Sequence, residues 1–208
     1  MKEIILSHPM ITHKLCVLRN KETKTKEFRE IISEISMLLC YEATKNIKLH
    51  DVTISTPLEE YKTKCINEDD FAFVPILRAG MSMVDGILKV MPTAKIGHIG
   101  LYRNEETLEP VEYYYKMPEN IEKREVFILD PMLATGGSAI ATIEKLKKDG
   151  AKKINFLCIL AAPEGIENIK KSHKDVQIYC ACVDRQLSEI GYILPGLGDA
   201  GDRVYGTK

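Results

Sequence analysis

The stretch F-I-L-D-P-M-L-A-T-G-G-S, Phe127 to Ser138, constrains the fold more than any other part of the chain. The apolar run Val126 to Leu129 stops abruptly at Asp130. A glycine turn follows, then a helix predicted from about Ser138 to Asp149, with Gly150 as its stop. Lys147 and Lys148 in the last turn suit the negative end of the helix dipole. The same order of strand, loop and helix precedes it. Phe71 to Ile76 leads through Leu77-Arg78-Ala79-Gly80 into a predicted helix, Met81 to Met91, which stops at Pro92. Lys95 to Leu101, Ile154 to Ala161 and Val176 to Val183 read as further strands. Continuous apolar strands separated by helices predict an α/β fold with a central parallel sheet covered on both faces. Ligands of such sheets bind beyond the carboxyl ends of the strands. Pro75 resists this pattern, because proline removes a ladder donor and should bulge or end its strand.

No repeat, low-complexity tract or linker divides the chain, so its 208 residues predict a single domain. A helical arm is expected over about 1–70, a core over about 71–185 and a small C-terminal hood over about 186–208. The clearest helix is Thr25 to Thr44, where Phe28, Ile31, Ile32, Ile35, Leu38 and Leu39 recur at helical spacing. Charge weighs against one class of function. Lys plus Arg is 29 against 30 for Asp plus Glu, a net charge of −1, which opposes a protein built to grip nucleic acid or an anionic membrane. No apolar run approaches the roughly 18 to 20 residues that span a bilayer. Met1 to Met10 lacks the pattern of a signal peptide.

Six cysteines, at 16, 40, 65, 158, 180 and 182, form no C-x-x-C pair and offer no zinc set. Cys180 and Cys182 alternate with Ala181 and are expected on one strand face, as buried small hydrophobes. A reducing cytoplasm suits this usage. Tyr113, Tyr114 and Tyr115 could stack bases, but with only Lys116 beside them a strand with paired aromatic faces is preferred. His98 is expected in the core or behind a site.

Chemistry concentrates in two places. Ala134, Thr135, Gly136, Gly137 and Ser138 stand at a helix mouth, where unpaired N–H groups converge on an anion and two hydroxyls add donors. A helix capped by Ser138 after a glycine turn is the plainer reading of the same residues. Asp130 favours a ligand, since a carboxylate beside a phosphate cradle reaches sugar hydroxyls or a hydrated cation. The nucleoside-triphosphatase motif G-x-x-x-x-G-K-[ST] is absent. The second place is the tail. Gly191, Gly196, Gly198, Gly201 and Gly206 surround Tyr192, Ile193, Leu194 and Leu197, which are too apolar for a floppy terminus. An ordered loop closing over a flat ligand is expected.

The first stretch resembles the 5-phosphoribosyl-1-pyrophosphate (PRPP) loop of type I phosphoribosyltransferases. Pro131 stands where that motif usually has a second acidic residue, and D-P-M-L-A-T-G-G-S is the form typical of uracil phosphoribosyltransferases. V-P-I-L-R-A-G-M-S-M-V-D-G, H-I-G-L-Y-R, T-L-E-P-V-E-Y-Y, A-A-P-E-G and G-Y-I-L-P-G-L-G-D-A-G-D-R extend the resemblance over most of 71–208. T-K-E-F-R-E and Tyr41-Glu42 carry it more weakly before residue 70.

The resemblance implies transfer of phosphoribose from PRPP to uracil, giving UMP and diphosphate. It implies PRPP contacts at Arg78, Arg103, Asp130, Pro131, Met132, Leu133, Ala134, Thr135, Gly136, Gly137, Ser138 and Asp199. Uracil contacts fall at Ile193, Gly198, Asp199 and Ala200, with Asp130 and Asp199 as the catalytic carboxylates. Asn104 to Glu109 becomes a mobile flap. Mg²⁺ is expected to arrive with PRPP rather than at a dedicated site. The resemblance also implies a homo-oligomer and allows a GTP effector. An RNA-binding regulator on the same fold would need a basic face that the net charge does not support. The loop and the G-D-A of the tail oppose a purine or orotate transferase.

Overall fold

A computed structural model describes residues 3–103 and 110–207. The expected flap, 104–109, lies outside them. The chain opens with strand β1 (Glu3–Ile5), then helices α1 (Pro9–Arg19) and α2 (Thr25–Ala43). A hairpin of β2 (His50–Ser55) and β3 (Glu60–Cys65) follows. The core begins with β4 (Phe71–Leu77), α3 (Met81–Val90), β5 (Lys95–Ile96), β6 (His98–Arg103) and β7 (Pro110–Lys116). It continues through β8 (Glu125–Leu129), β9 (Met132–Leu133), α4 (Gly137–Lys148), β10 (Lys153–Ala161), α5 (Pro163–Ser172) and β11 (Gln177–Val183). The end of the chain carries β12 (Gln186–Leu187), β13 (Ile193–Leu194) and α6 (Ala200–Tyr205).

The central sheet runs β1-β11-β10-β8-β4-β6-β7, parallel except for β7. Both faces are buried, as continuous apolar strands require. Phe71, Phe73, Phe127 and Leu129 point into the layer that contains α2 and α3, where the Phe73 and Phe127 rings stack at 5.0 Å. Ala72, Val74, Ile76, Val126 and Ile128 face α4 and α5. From β4 the chain proceeds to β6 on one side; from β8 it proceeds to β10 and β11 on the other. The direction of winding therefore reverses between β4 and β8, and a crevice opens at their carboxyl ends.

Four local expectations meet different outcomes. Pro75 neither ends nor bulges β4: it lies in register with Leu129, and the strand continues to Leu77. Pairing on the opposite side is interrupted there instead, from Phe73–Ile96 to Ile76–Ile99, so the missing N–H falls in a gap. The strand expected over 95–101 breaks at Gly97 into β5 and β6 for the same reason. The arm before residue 70 is not wholly helical: β1 is an edge of the central sheet, and β2–β3 form a separate ribbon. Cys180 and Cys182 do not share a face. Ile159 and Leu160 both donate to Pro131 O, at 3.1 and 3.0 Å, and both turn into the α2 layer. Cys182, in register with Leu160, follows them, while Cys180 stays in the α4 layer. Tyr113 to Tyr115 lie on β7, where Tyr113 tilts against Tyr102 across the ladder at 6.3 Å.

Candidate active site

Three segments meet at the crevice. The first is the turn Arg78–Gly80 at the end of β4. It lies so close to β8 that a Cβ on Gly80 would stand 2.3 Å from Leu129 O, which no side chain tolerates. Arg78 is exposed, and its guanidinium lies 5.8 Å from the centre of the Tyr205 ring.

The second segment is 130–138. Asp130 N–H donates to Leu157 O at 3.2 Å, which carries the chain on from β8 along β10. Pro131 O accepts the two β10 amides, and β9 continues the ladder beside Leu160 and Ala161. Leu133 is buried and its carbonyl accepts from Ala162 N at 2.8 Å, so it supports the loop from beneath. Asn168 on α5 donates to Thr135 O at 3.0 Å. Gly136 in the left-handed region (φ 86°) turns the chain into α4, whose first N–H groups have no partner within the helix. Asp130, residues 132–139 and Phe156 line a cavity of about 140 Å³. Burial pushes the Asp130 carboxyl up to about 7, against the opposing pull of the Met132 N–H, which donates to it at 3.2 Å.

The third segment is the tail. A Cβ on Gly191 would lie 4.0 Å from Thr135 Cγ2, and one on Gly201 would lie 4.0 Å from Ala79 Cβ. Tyr205 Oη donates to Arg78 O at 2.9 Å. The tail thus touches both loops. Ile193 and Ala200 are both buried. Gly198 (φ 84°) adopts a conformation that L side chains resist. Asp199 is exposed; its Oδ1 caps α6 by accepting from Asp202 N at 2.8 Å.

The structure therefore gathers Arg78, the 130–138 loop and the 191–200 tail at one end of the sheet. Arg103 ends β6, in register with Pro110. Sequence reasoning missed Tyr205 and Asn168, which brace Arg78 and Thr135. Neither carries a local motif, since each acts on a residue far away in the chain.

A doubly wound sheet with a glycine-rich strand-to-helix loop at its switch point and the C-terminal tail packed against it is the fold of type I phosphoribosyltransferases. Solved structures agree. A protein of Aquifex aeolicus superposes with a TM-score of 0.95 at 42 % identity, covering 99 % of each chain. A hypoxanthine-guanine phosphoribosyltransferase of Bacillus anthracis shares the fold alone, at TM-score 0.53 and 11 % identity over 77 % of this chain and 80 % of its own. The family profile described as uracil phosphoribosyltransferase matches residues 5–207. A uracil phosphoribosyltransferase of Dictyoglomus turgidum is 58 % identical over 99 % of both chains. One of a Geobacillus species is 55 % identical over 100 % of this chain and 99 % of its own. The chain belongs to the uracil phosphoribosyltransferase family.

Proposed function

We propose that the crevice binds PRPP along the 130–138 loop and uracil beneath the tail, and joins them to give UMP and diphosphate. The observation that carries this reading is the convergence of the three segments where the sheet reverses its winding. In the reaction a bond forms between uracil N1 and ribose C1, the bond from C1 to the diphosphate oxygen breaks, and the N1 proton is released. Positive charge develops on the ribose as diphosphate departs, so catalysis rests on positioning and electrostatics. The amides of residues 134–138 hold the 5-phosphate. Asp130, at the strand end, meets the ribose hydroxyls and the developing cation. Arg78 and Arg103 hold the diphosphate, a task suited to a permanently charged two-pronged group.

Mg²⁺ brought in with PRPP would neutralise charge on the departing diphosphate. The donors present suit an ion that keeps most of its water: Asp199 is exposed, and its Oδ2 has no partner among the described residues. The backbone around Gly198 reads the base edge. Fixed donors and acceptors there would oppose cytosine at N3 and C4, at roughly 1 to 3 kcal/mol for each mismatched group.

A homo-oligomer is supported by exposed apolar side chains outside the crevice, including Leu58 at 95 % and Tyr41 at 72 %. A GTP effector rests on the family resemblance alone. A reducing cytoplasm is supported by six free cysteines. Among the described residues no helix is long and apolar enough to cross a membrane. The test is a panel of uracil, cytosine and hypoxanthine, each offered with PRPP and Mg²⁺, with product nucleotide and diphosphate quantified. Uracil alone is expected to react efficiently. Cytosine turnover within threefold of uracil would refute backbone readout of the base.

A further inference from the structure

We propose that Arg19 and Asp184, which no motif singles out, are positioning residues that hold the tail in the shape that admits uracil. The inference rests on the reading of the tail as the base site. Arg19 ends α1, and Asp184 follows β11, 165 positions away in sequence. Arg19 grips both oxygens of Asp184, at 2.8 and 2.6 Å. The same pair seizes Gly196 from both sides. Arg19 Nη1 donates to Gly196 O at 2.8 Å, and Gly196 N–H donates to Asp184 Oδ2 at 2.9 Å. The Asp184 side chain is 4 % exposed and that of Arg19 is 23 % exposed, so this is an inward clamp rather than a surface pair.

Gly196 lies between Ile193 and Gly198, the backbone that faces the base in the proposed function. Arg19 also lines, with Gly198 and Asp199, a cavity of about 680 Å³. Arg203 extends the attachment by donating to Leu18 O, Leu197 O and Asn20 O, at 2.7 to 2.8 Å. The end of α1 is thereby tied to both sides of the loop. Burial alone would raise the Asp184 carboxyl, but hydrogen bonds from Arg19 and Gly196 outweigh it and hold the group below the ordinary aspartate value. Asp184 stays ionised and keeps its grip.

Two variants test the clamp. Asp184→Asn keeps an acceptor for Gly196 N–H but removes the charge that orients Arg19. Arg19→Lys keeps the charge but loses the two-pronged geometry. Each is expected to raise the KM for uracil at least fivefold while the KM for PRPP moves less than twofold. Loss of general stability would move both constants, or kcat alone. Equal shifts in the two KM values, or no shift, would overturn the proposal. A measurement on the unaltered protein stands beside the kinetics, in case a variant does not fold. Amide hydrogen exchange at Gly196 is expected to be at least a hundredfold slower than at Gly198, and comparable rates would overturn the clamp. An unaltered chain that shows this protection yet does not turn over uracil would refute the functional reading rather than the clamp.

Discussion

Asp130→Asn should make the protein more stable and less active, and the two effects have separate signatures. The fold holds the Asp130 carboxyl near 7, because burial disfavours its charge. An unfolded aspartate titrates near 3.9. The folded chain therefore retains a proton that the unfolded chain has lost. Stability from this group is fully present below the unfolded value and is lost as pH rises through about 7. Each pH unit inside the window costs about 1.4 kcal/mol, so the full loss is roughly 4 kcal/mol. Asparagine does not titrate, and every other group cancels in the comparison. The Tm of the variant minus that of the parent should therefore climb with pH up to about 7 and then level off. Between pH 5.5 and 7.0 the climb is about 2 kcal/mol, or roughly 4 to 8 °C for a chain of this length. Activity moves the other way. Loss of the carboxylate that meets the ribose cation should lower kcat/KM more than tenfold, about 1.4 kcal/mol of transition-state binding. The assay is thermal unfolding of both ligand-free proteins at half-unit pH steps, with steady-state kinetics on the same preparations. A Tm difference that does not change with pH would show that the carboxyl is not held neutral. Kinetics equal to those of the parent would show that Asp130 only shapes its turn.

Gly198→Val should lose more than tenfold in uracil turnover. Among the described residues a Cβ there would meet only Arg203 Cδ, at 3.9 Å, so the cause is the left-handed backbone rather than crowding, and full turnover would show that the base does not depend on the shape the tail takes at Gly198. Exhaustive chelation should abolish the reaction and added Mg²⁺ should restore it; turnover that survives chelation would mean that diphosphate leaves without a cation's help.

The sheet and the crevice were legible because their signals are local. Val126 to Leu129 and Ile154 to Ala161 are apolar on both faces, and Asp130 and the glycines follow within a few residues. What stayed hidden depends on contacts distant in sequence, or on too few residues to carry a period. β1 has three residues, too short for a pattern, and it becomes a strand only because β11 receives it. The β2–β3 ribbon is solvated on both faces, so it lacks the alternation that marks a half-buried hairpin. The different faces of Cys180 and Cys182 follow from two β10 amides sharing Pro131 O, a backbone event on a neighbouring strand. Arg19 and Asp184 are an unremarkable basic and acidic residue until the fold brings them together.

The pairing of Glu3 with Ile178 has a consequence in time. On a ribosome that adds about 5 to 20 residues per second, β1 waits roughly 10 to 35 seconds before its partner strand exists. Through that interval the nascent chain carries an unpaired segment, and the defence against mispairing is brevity and charge. Three residues beginning with a glutamate make a poor template for a neighbouring polypeptide. The sheet is closed at this edge by a segment made some 175 residues before the strand that receives it.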